Sequence, residues 1–354
     1  MSDVPPRISA LSAVVNDRLE VHLGRALDRL RAMHPDLGPL ADELRAFVAD
    51  GGKRLRPVLV LLGHQIAGGD PDDAVGPALA VELLHTCALL HDDLIDAADT
   101  RRGRPATHVA FATRHRDLGY GGDPDRFGAA IAILLGDLAF VQADEAFLTT
   151  SLPDDRVLAG FRAFNDLREE VMAGQALDVI AAASRSTDLD KALTIATLKS
   201  GRYSVTRPLQ LGAVLAGAGD DVVGTLQDVG DPLGLAFQLR DDLLGVFGKH
   251  GETGKSVAGD LAEGKRTVLI AEAAARLPAQ DWQGVERALG RPDLADADVE
   301  QVRALLRDCG AVDAVTARID DLADRARAAT ALLPPSTSAQ DLAAFVDWFV
   351  TRRT

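Results

Sequence analysis

Two pairs of adjacent aspartates, Asp92-Asp93 and Asp241-Asp242, each end an apolar run of helical spacing, and basic residues lie downstream of both. On a helix, positions four apart share a face. Asp92 and Asp96 therefore point one way, with Asp99 near that stripe and Asp93 beside it. Carboxylates so close repel one another unless a cation joins them. Mg²⁺ favours such oxygen ligands and leaves its other positions to water and substrate phosphate. Arg101 and Arg102 follow at once, and a guanidinium grips phosphate bidentately. One Asp-Asp-x-x-Asp pattern alone is commonly a solvated helix end. The second, differently worded copy at Phe237-Gln238-Leu-Arg-Asp241-Asp242 turns the reading to two acidic helices facing one phosphate group. The candidate metal ligands are Asp92, Asp93, Asp96, Asp241 and Asp242.

Further polar residues interrupt apolar surroundings. The break Asp50-Gly51-Gly52 precedes Lys53-Arg54-Leu55-Arg56-Pro57, which opens a helix whose unpaired N–H groups favour anions. Locally, a solvated basic turn explains these residues equally well. Gln175 and Asp178, three apart, break an apolar helical face. Buried polar groups cost free energy unless partnered, so both are expected at the same cavity. His85 lies two turns before Asp92 near the same stripe, where a lone histidine is often a satisfied core residue.

The elements that must position these groups read as helices. The 354 residues suffice for one large domain, aromatics are 4%, and Ala, Leu, Asp and Arg dominate, which favours helix over strand. Apolar spacing predicts helices over residues 8–33, 38–49, 74–97, 127–149, 154–184, 188–217 with a kink at Pro208, and 221–247. Three or four more are expected after 267. Residues 103–126 and 248–264 read as loops, the first able to move over the site. A net charge of −15 argues against a nucleic-acid partner. Cys87 and Cys309 offer no disulfide framework, which fits a reducing cytoplasm. The N-terminus carries no basic-then-apolar leader, and no uninterrupted apolar run approaches the roughly 20 residues of an integral membrane segment.

Taken in order, these motifs resemble the isoprenyl diphosphate synthases of the polyprenyl synthetase family, the bacterial, actinobacterial-type geranylgeranyl diphosphate synthases in particular. At least five carry the resemblance: Gly51 to Pro57, the first aspartate motif, Gly174-Gln175-Ala-Leu-Asp178, Lys199-Ser200-Gly-Arg202-Tyr203 and Gln238 to Asp242, with Gly264-Lys265-Arg266-Thr267 closing the match. One departure is Gly245, where the fullest second motif carries a third aspartate. It bears on one metal ligand and not on the activity.

The resemblance implies an all-α, single-domain bundle of roughly ten to thirteen helices around a deep central cavity, the isoprenoid synthase type I fold, in a cytoplasmic homodimer. It implies about three Mg²⁺ per site, with Mn²⁺ as a substitute. Isopentenyl diphosphate would lie on Lys53, Arg56 and Arg102, and His85 would be a diphosphate contact. The allylic diphosphate would lie on Lys199 and Ser200, with Arg101, Gln238, Lys255 and Lys265 completing the substrate contacts. Asp92, Asp96, Asp241 and Lys199 would carry the chemistry: ionisation of the allylic diphosphate, head-to-tail condensation, and proton loss to the departing diphosphate. Ala88 lies one turn, about 5.4 Å, below Asp92, with Cys87 beside it and Leu84 a further turn down. In the family a bulky aromatic at either small position resembles a floor that stops growth at farnesyl diphosphate, so geranylgeranyl diphosphate is the expected product and farnesyl diphosphate or longer chains the alternatives. A class I terpene cyclase would replace the second motif, and a non-catalytic subunit would have no need to keep either.

Overall fold

Ile8, Leu11, Val15, Leu19, Leu23 and Leu27 recur every three or four residues and are all buried on the first helix, α1 (Pro6–Met33). It begins a computed structural model that describes residues 5–248, 259–291 and 293–351. α2 (Gly38–Ala49) and α3 (Leu55–Ile66) follow, and then α4 (Val75–Ile95), which is buried without interruption from Val75 to Leu84. A helix apolar on all sides belongs inside a core, and α4 is packed by α3, α6 and α1. Its end is sharp. Ala97 takes a left-handed φ of 50°, and a two-residue antiparallel ribbon pairs Thr100–Arg101 with Arg104–Pro105.

α5 (Thr107–Asp117), α6 (Pro124–Phe147) and α7 (Asp154–Ala183) come next, with the Asp123 carboxylate accepting from the first backbone N–H groups of α6. α8 (Leu189–Ile195) leads into a π-helical stretch, Ala196–Thr206, and then α9 (Arg207–Ala216) and α10 (Asp220–Phe247). α11 (Gly259–Ala262), α12 (Val268–Arg276), α13 (Ala279–Ala288), α14 (Asp296–Asp308), α15 (Ala311–Thr330) and α16 (Thr337–Thr351) complete the fold. One apolar cluster runs from Ile8 on α1 to Phe349 on α16.

The structure is all-α, as expected, and differs from the sequence reading in four places. The supposed loop after Gly103 contains α5, whose Phe111, Ala112 and His115 are buried at helical spacing. Pro208 is not a kink: it occupies the second position of α9, and the irregularity is the π stretch before it. Five helices, not three or four, follow Thr267, and short pieces such as α8 and α11 raise the total to sixteen among the described residues. Finally, Pro71–Ile95 and Pro124–Phe147 are each long and apolar enough to cross a membrane by length and composition. The first is a core segment, 72% buried over its most apolar window, whereas α6 is only 39% buried.

The π stretch is held by close backbone contacts. A Cβ added to Gly174 on α7 would lie 2.3 Å from the Lys199 backbone nitrogen, and one on Gly234 of α10 would lie 2.3 Å from the Gly201 carbonyl oxygen. Backbone cannot yield as a flexible side chain can. Gly234→Ala should therefore destabilise the fold by about 1–3 kcal/mol, the usual range for overpacking. A lower melting temperature by circular dichroism checks it, and an unchanged one would mean the two helices have slack.

Candidate active site

Four elements converge on one cavity of about 750 Å³: the second half of α4, the second half of α7, the π stretch and the end of α10. Asp92, Asp241 and Asp242 all line it, so the fold brings the two acidic motifs together. Gln175 and Asp178 line it from α7, as their interruption of an apolar face suggests. Gln175 Nε2 donates to Asp92 Oδ1 at 3.0 Å. Lys199 Nζ lies 2.6 Å from Asp178 Oδ2 and 3.6 Å from Asp92 Oδ1, a bridge between two helices. Burial pulls the Lys199 pKa down, but the Asp92 and Asp178 carboxylates outweigh it and hold the ammonium charged.

The rest of the first motif divides. Asp96 lies past the last residue of α4, with Lys265 Nζ at 3.3 Å from its Oδ2. Asp93 is buried, accepts from Arg101 Nε at 2.7 Å and does not line the cavity. Burial raises the pKa of both carboxyls against the pull of Arg101 on Asp93 and of Lys265 on Asp96. Asp99 is off the stripe altogether, because the helix has already ended. On α10, Gln238 Nε2 donates to Asp242 Oδ1 at 2.7 Å. Burial, with Asp260 and Asp241 adding to it, pushes the Asp242 carboxyl well up, although Gln238 favours the charged form.

Asp260 is the residue that sequence reasoning missed. Its carboxylate fills the space beside Gly245, where an added Cβ would lie 1.9 Å from Asp260 Oδ2. A third acidic oxygen pair thus reaches this end of α10 from α11 and not from position 245. Lys265 Nζ is 3.8 Å from Asp260 Oδ1 and also pairs with Glu263. Burial alone would lower the Lys265 pKa, but Asp260, Glu263 and Asp96 raise it well above that of a free lysine. The spacing Asp260 to Lys265 was visible in the sequence, but nothing local tied it to Gly245.

The basic turn also divides. Arg56 lines the cavity, donates from Nη2 to Ser204 Oγ at 2.8 Å and stacks 4.8 Å from the Tyr203 ring. His85 lines it as well, with Nδ1 buried and unpartnered. Burial, then the nearby Arg56, Arg102, Arg101 and Arg54, keep that imidazole neutral. Lys53 and Arg102 are exposed and do not line the cavity. The Lys53 ammonium sits 5.0 Å over the Trp348 ring, and Arg102 Nη1 donates to the Asp50 carbonyl at 2.6 Å. Ser200, Gln238, Arg101 and Lys265 are lining residues, and Lys255 lies outside the described residues.

Below the polar mouth the wall is apolar. Leu84, Cys87 and Ala88 line it from α4, and Met172, Ala176 and Val179 face them from α7. Their spacing to Gln175 was the available signal for the α7 wall. Burial, with Asp137 assisting, pushes the Cys87 thiol up to about 12, so it remains a protonated apolar side chain. The two acidic motifs offer hard oxygen donors, which suits Mg²⁺. Among the described residues no three acidic groups form a ready metal cage, since lysine ammonium groups bridge them, and phosphate and water would supply the remaining ligands.

A model of the polyprenyl synthetase family matches residues 39–306. The chain belongs to the polyprenyl synthetase family. It is 30% identical to a short chain isoprenyl diphosphate synthase of Methanothermobacter thermautotrophicus over 96% of this chain and 98% of that one. A geranylfarnesyl diphosphate synthase of Aeropyrum pernix is 31% identical over 85% and 91% of the two chains. Among solved structures, a geranylgeranyl pyrophosphate synthase from Corynebacterium glutamicum, complexed with isoprenyl diphosphate and magnesium, superposes with a TM-score of 0.93 at 32% identity, covering 98% of this chain and 99% of that one.

Within this polyprenyl synthetase, Gly245 and Asp260 form a testable pair. Gly245→Ala should push the Asp260 carboxylate aside and raise the Mg²⁺ concentration needed for half-maximal activity by about tenfold, as displaced metal-site partners commonly do. Mn²⁺ binding followed by electron paramagnetic resonance should weaken in parallel. Unchanged metal affinity in a folded Gly245→Ala variant would remove Asp260 from the site.

Proposed function

We propose that this prenyltransferase adds isopentenyl diphosphate head-to-tail to allylic diphosphates, dimethylallyl, geranyl and farnesyl, and releases geranylgeranyl diphosphate as its main product. The observation that carries the reading is that one cavity is lined by Asp92 from the first acidic motif and Asp241 and Asp242 from the second, with two small side chains, Cys87 and Ala88, on its apolar wall. Asp92, Asp96, Asp241 and Asp242, with Asp260, would hold Mg²⁺, which neutralises charge developing on a diphosphate leaving group. The magnesium in the Corynebacterium relative supports this choice of metal.

Lys199, Ser200 and Lys265 receive the allylic diphosphate. Each ammonium already sits among carboxylates and trades one anion for another when phosphate arrives. Arg56 and His85 receive the diphosphate of isopentenyl diphosphate, with Lys53 and Arg102 on the outer side of the same corner. The wall from Ala88 to Leu84 and the facing Val179 keep water from the allylic cation. The new carbon–carbon bond leaves a tertiary cation on the isopentenyl unit, and the departing diphosphate takes a proton from the adjacent carbon, whose C–H pair becomes the new double bond. We further propose one domain, a cytoplasmic location, which the free thiols Cys87 and Cys309 support, and a homodimer. For the dimer, the exposed Leu134 and Val141 along α6, Leu148 just past its end and Leu158 on α7 offer an apolar face.

Two outcomes test this reading. EDTA should abolish product formation, and Asp92→Ala or Asp241→Ala should lower turnover by about 100-fold or more with the circular dichroism spectrum retained. Substantial turnover without divalent metal would end it. Product sizing by chromatography should give geranylgeranyl diphosphate for the native chain, farnesyl diphosphate for Ala88→Phe or Cys87→Phe, and longer chains for Leu84→Ala. If Ala88→Phe leaves product length unchanged, α4 is not the ruler.

A further inference from the structure

Arg54 sits inside a turn of basic residues, yet its side chain faces away from solvent and away from the cavity. Its φ is 52°, a left-handed conformation that a non-glycine residue adopts only when its surroundings impose it. Three contacts impose it here. Nε donates to Asn16 Oδ1 on α1 at 2.8 Å, Nη2 to the Val48 carbonyl on α2 at 2.5 Å, and Nη1 to Glu82 Oε1 on α4 at 2.5 Å. The guanidinium and Glu82 are both buried. Gly51 makes this possible: a Cβ there would lie 1.8 Å from Arg54 Nη1. The guanidinium occupies the space a side chain at 51 would need.

The neighbouring carbonyls are tied in the same way. The Lys53 carbonyl accepts from Ser12 Oγ at 2.8 Å, and the Asp50 carbonyl accepts from Arg102 Nη1 at 2.6 Å. Arg102 adjoins Arg101, which grips Asp93 beside Asp92. The turn is therefore pinned to α1, α2, α4 and the first acidic motif, with Arg54 at its centre. An arginine whose donors hold a buried carboxylate and a buried carbonyl cannot serve as a phosphate ligand without abandoning both.

We propose that Arg54, seated across Gly51 and bonded to Glu82, is a positioning residue that sets where Lys53 and Arg56 project. This rests on the reading that those two cations receive isopentenyl diphosphate, and the experiment separates the two claims. KM for isopentenyl diphosphate and for the allylic substrate is measured separately in Arg54→Lys, Arg54→Gln and Gly51→Ala, alongside Lys53→Ala and Arg56→Ala. The expected result is an isopentenyl diphosphate KM raised about tenfold or more, the cost of a small misplacement, with kcat and the allylic KM within about threefold. A purely structural role would lower the melting temperature and the active fraction without splitting the two KM values. Arg54→Lys keeps the charge and loses the fork, so its failure to restore KM points to geometry. If Arg54→Gln does not fold, Gly51→Ala displaces the guanidinium with every charge in place. Folded Arg54→Lys and Gly51→Ala variants that leave isopentenyl diphosphate KM unchanged, or that raise both KM values equally, overturn the positioning role. If Lys53→Ala and Arg56→Ala also leave that KM unchanged, the substrate assignment of the turn fails with it.

Discussion

The arrangement depends on how negative charge is kept in a poorly solvated space. Asp92, Asp178, Asp242 and Asp260 line a cavity whose walls are otherwise mostly apolar, Asp96 sits beside it on Lys265, and burial pushes the Asp96 and Asp242 carboxyls upward. Lys199 and Lys265 answer that charge from two different segments, and Arg101 answers Asp93. Opposite charges at 2.6–3.6 Å in a medium less polar than water attract strongly. They keep the site ordered and ready to exchange one set of ions for another. The whole-chain charge of −15 is no obstacle to an anionic substrate, because the sign that matters is set within a few ångströms of the cavity mouth.

That balance needs a rigid carrier, and α4 provides it. The helix is surrounded by core from Val75 to Leu84, so its last two turns emerge into the cavity from a fixed base. Glu82, His85, Ala88 and Asp92 follow one another along it. One rod thus anchors the basic turn through Glu82, presents an imidazole and a small wall residue, and ends in the acidic motif.

Much of this was legible because its logic is local. Apolar spacing marked α1, α2, α4, α7 and α10, and the paired aspartates stood out because no ordinary core explains them. Gln175 and Asp178 were legible for the same reason. What was not legible depends on partners distant in the chain. Lys53, Arg54 and Arg56 are alike in sequence, yet one lies over Trp348, one is locked to Glu82 and one opens on the cavity. Asp260 beside Gly245 is a contact between separate segments, and the π stretch follows from packing against Gly174 and Gly234. α5 was a different miss, since its apolar spacing was present and was outweighed by Gly, Asp and Arg around it.

The π stretch has an implication for how this chain can change over evolutionary time. Wide turns accommodate more residues than an α-helix of the same height, and this run is eleven residues long, where most are a single turn. Loss of one residue between Ile195 and Arg207 would favour ordinary α pitch. Each residue of an α-helix turns the chain by about 100°, more than a residue in a wider turn does, so the re-pitched segment would hand everything after it a different rotation. Tyr203 and Ser204 would leave the cavity wall, and Gly201 would no longer meet Gly234. Many side chains here could drift, but the number of residues cannot, so length is more tightly constrained than composition in this segment.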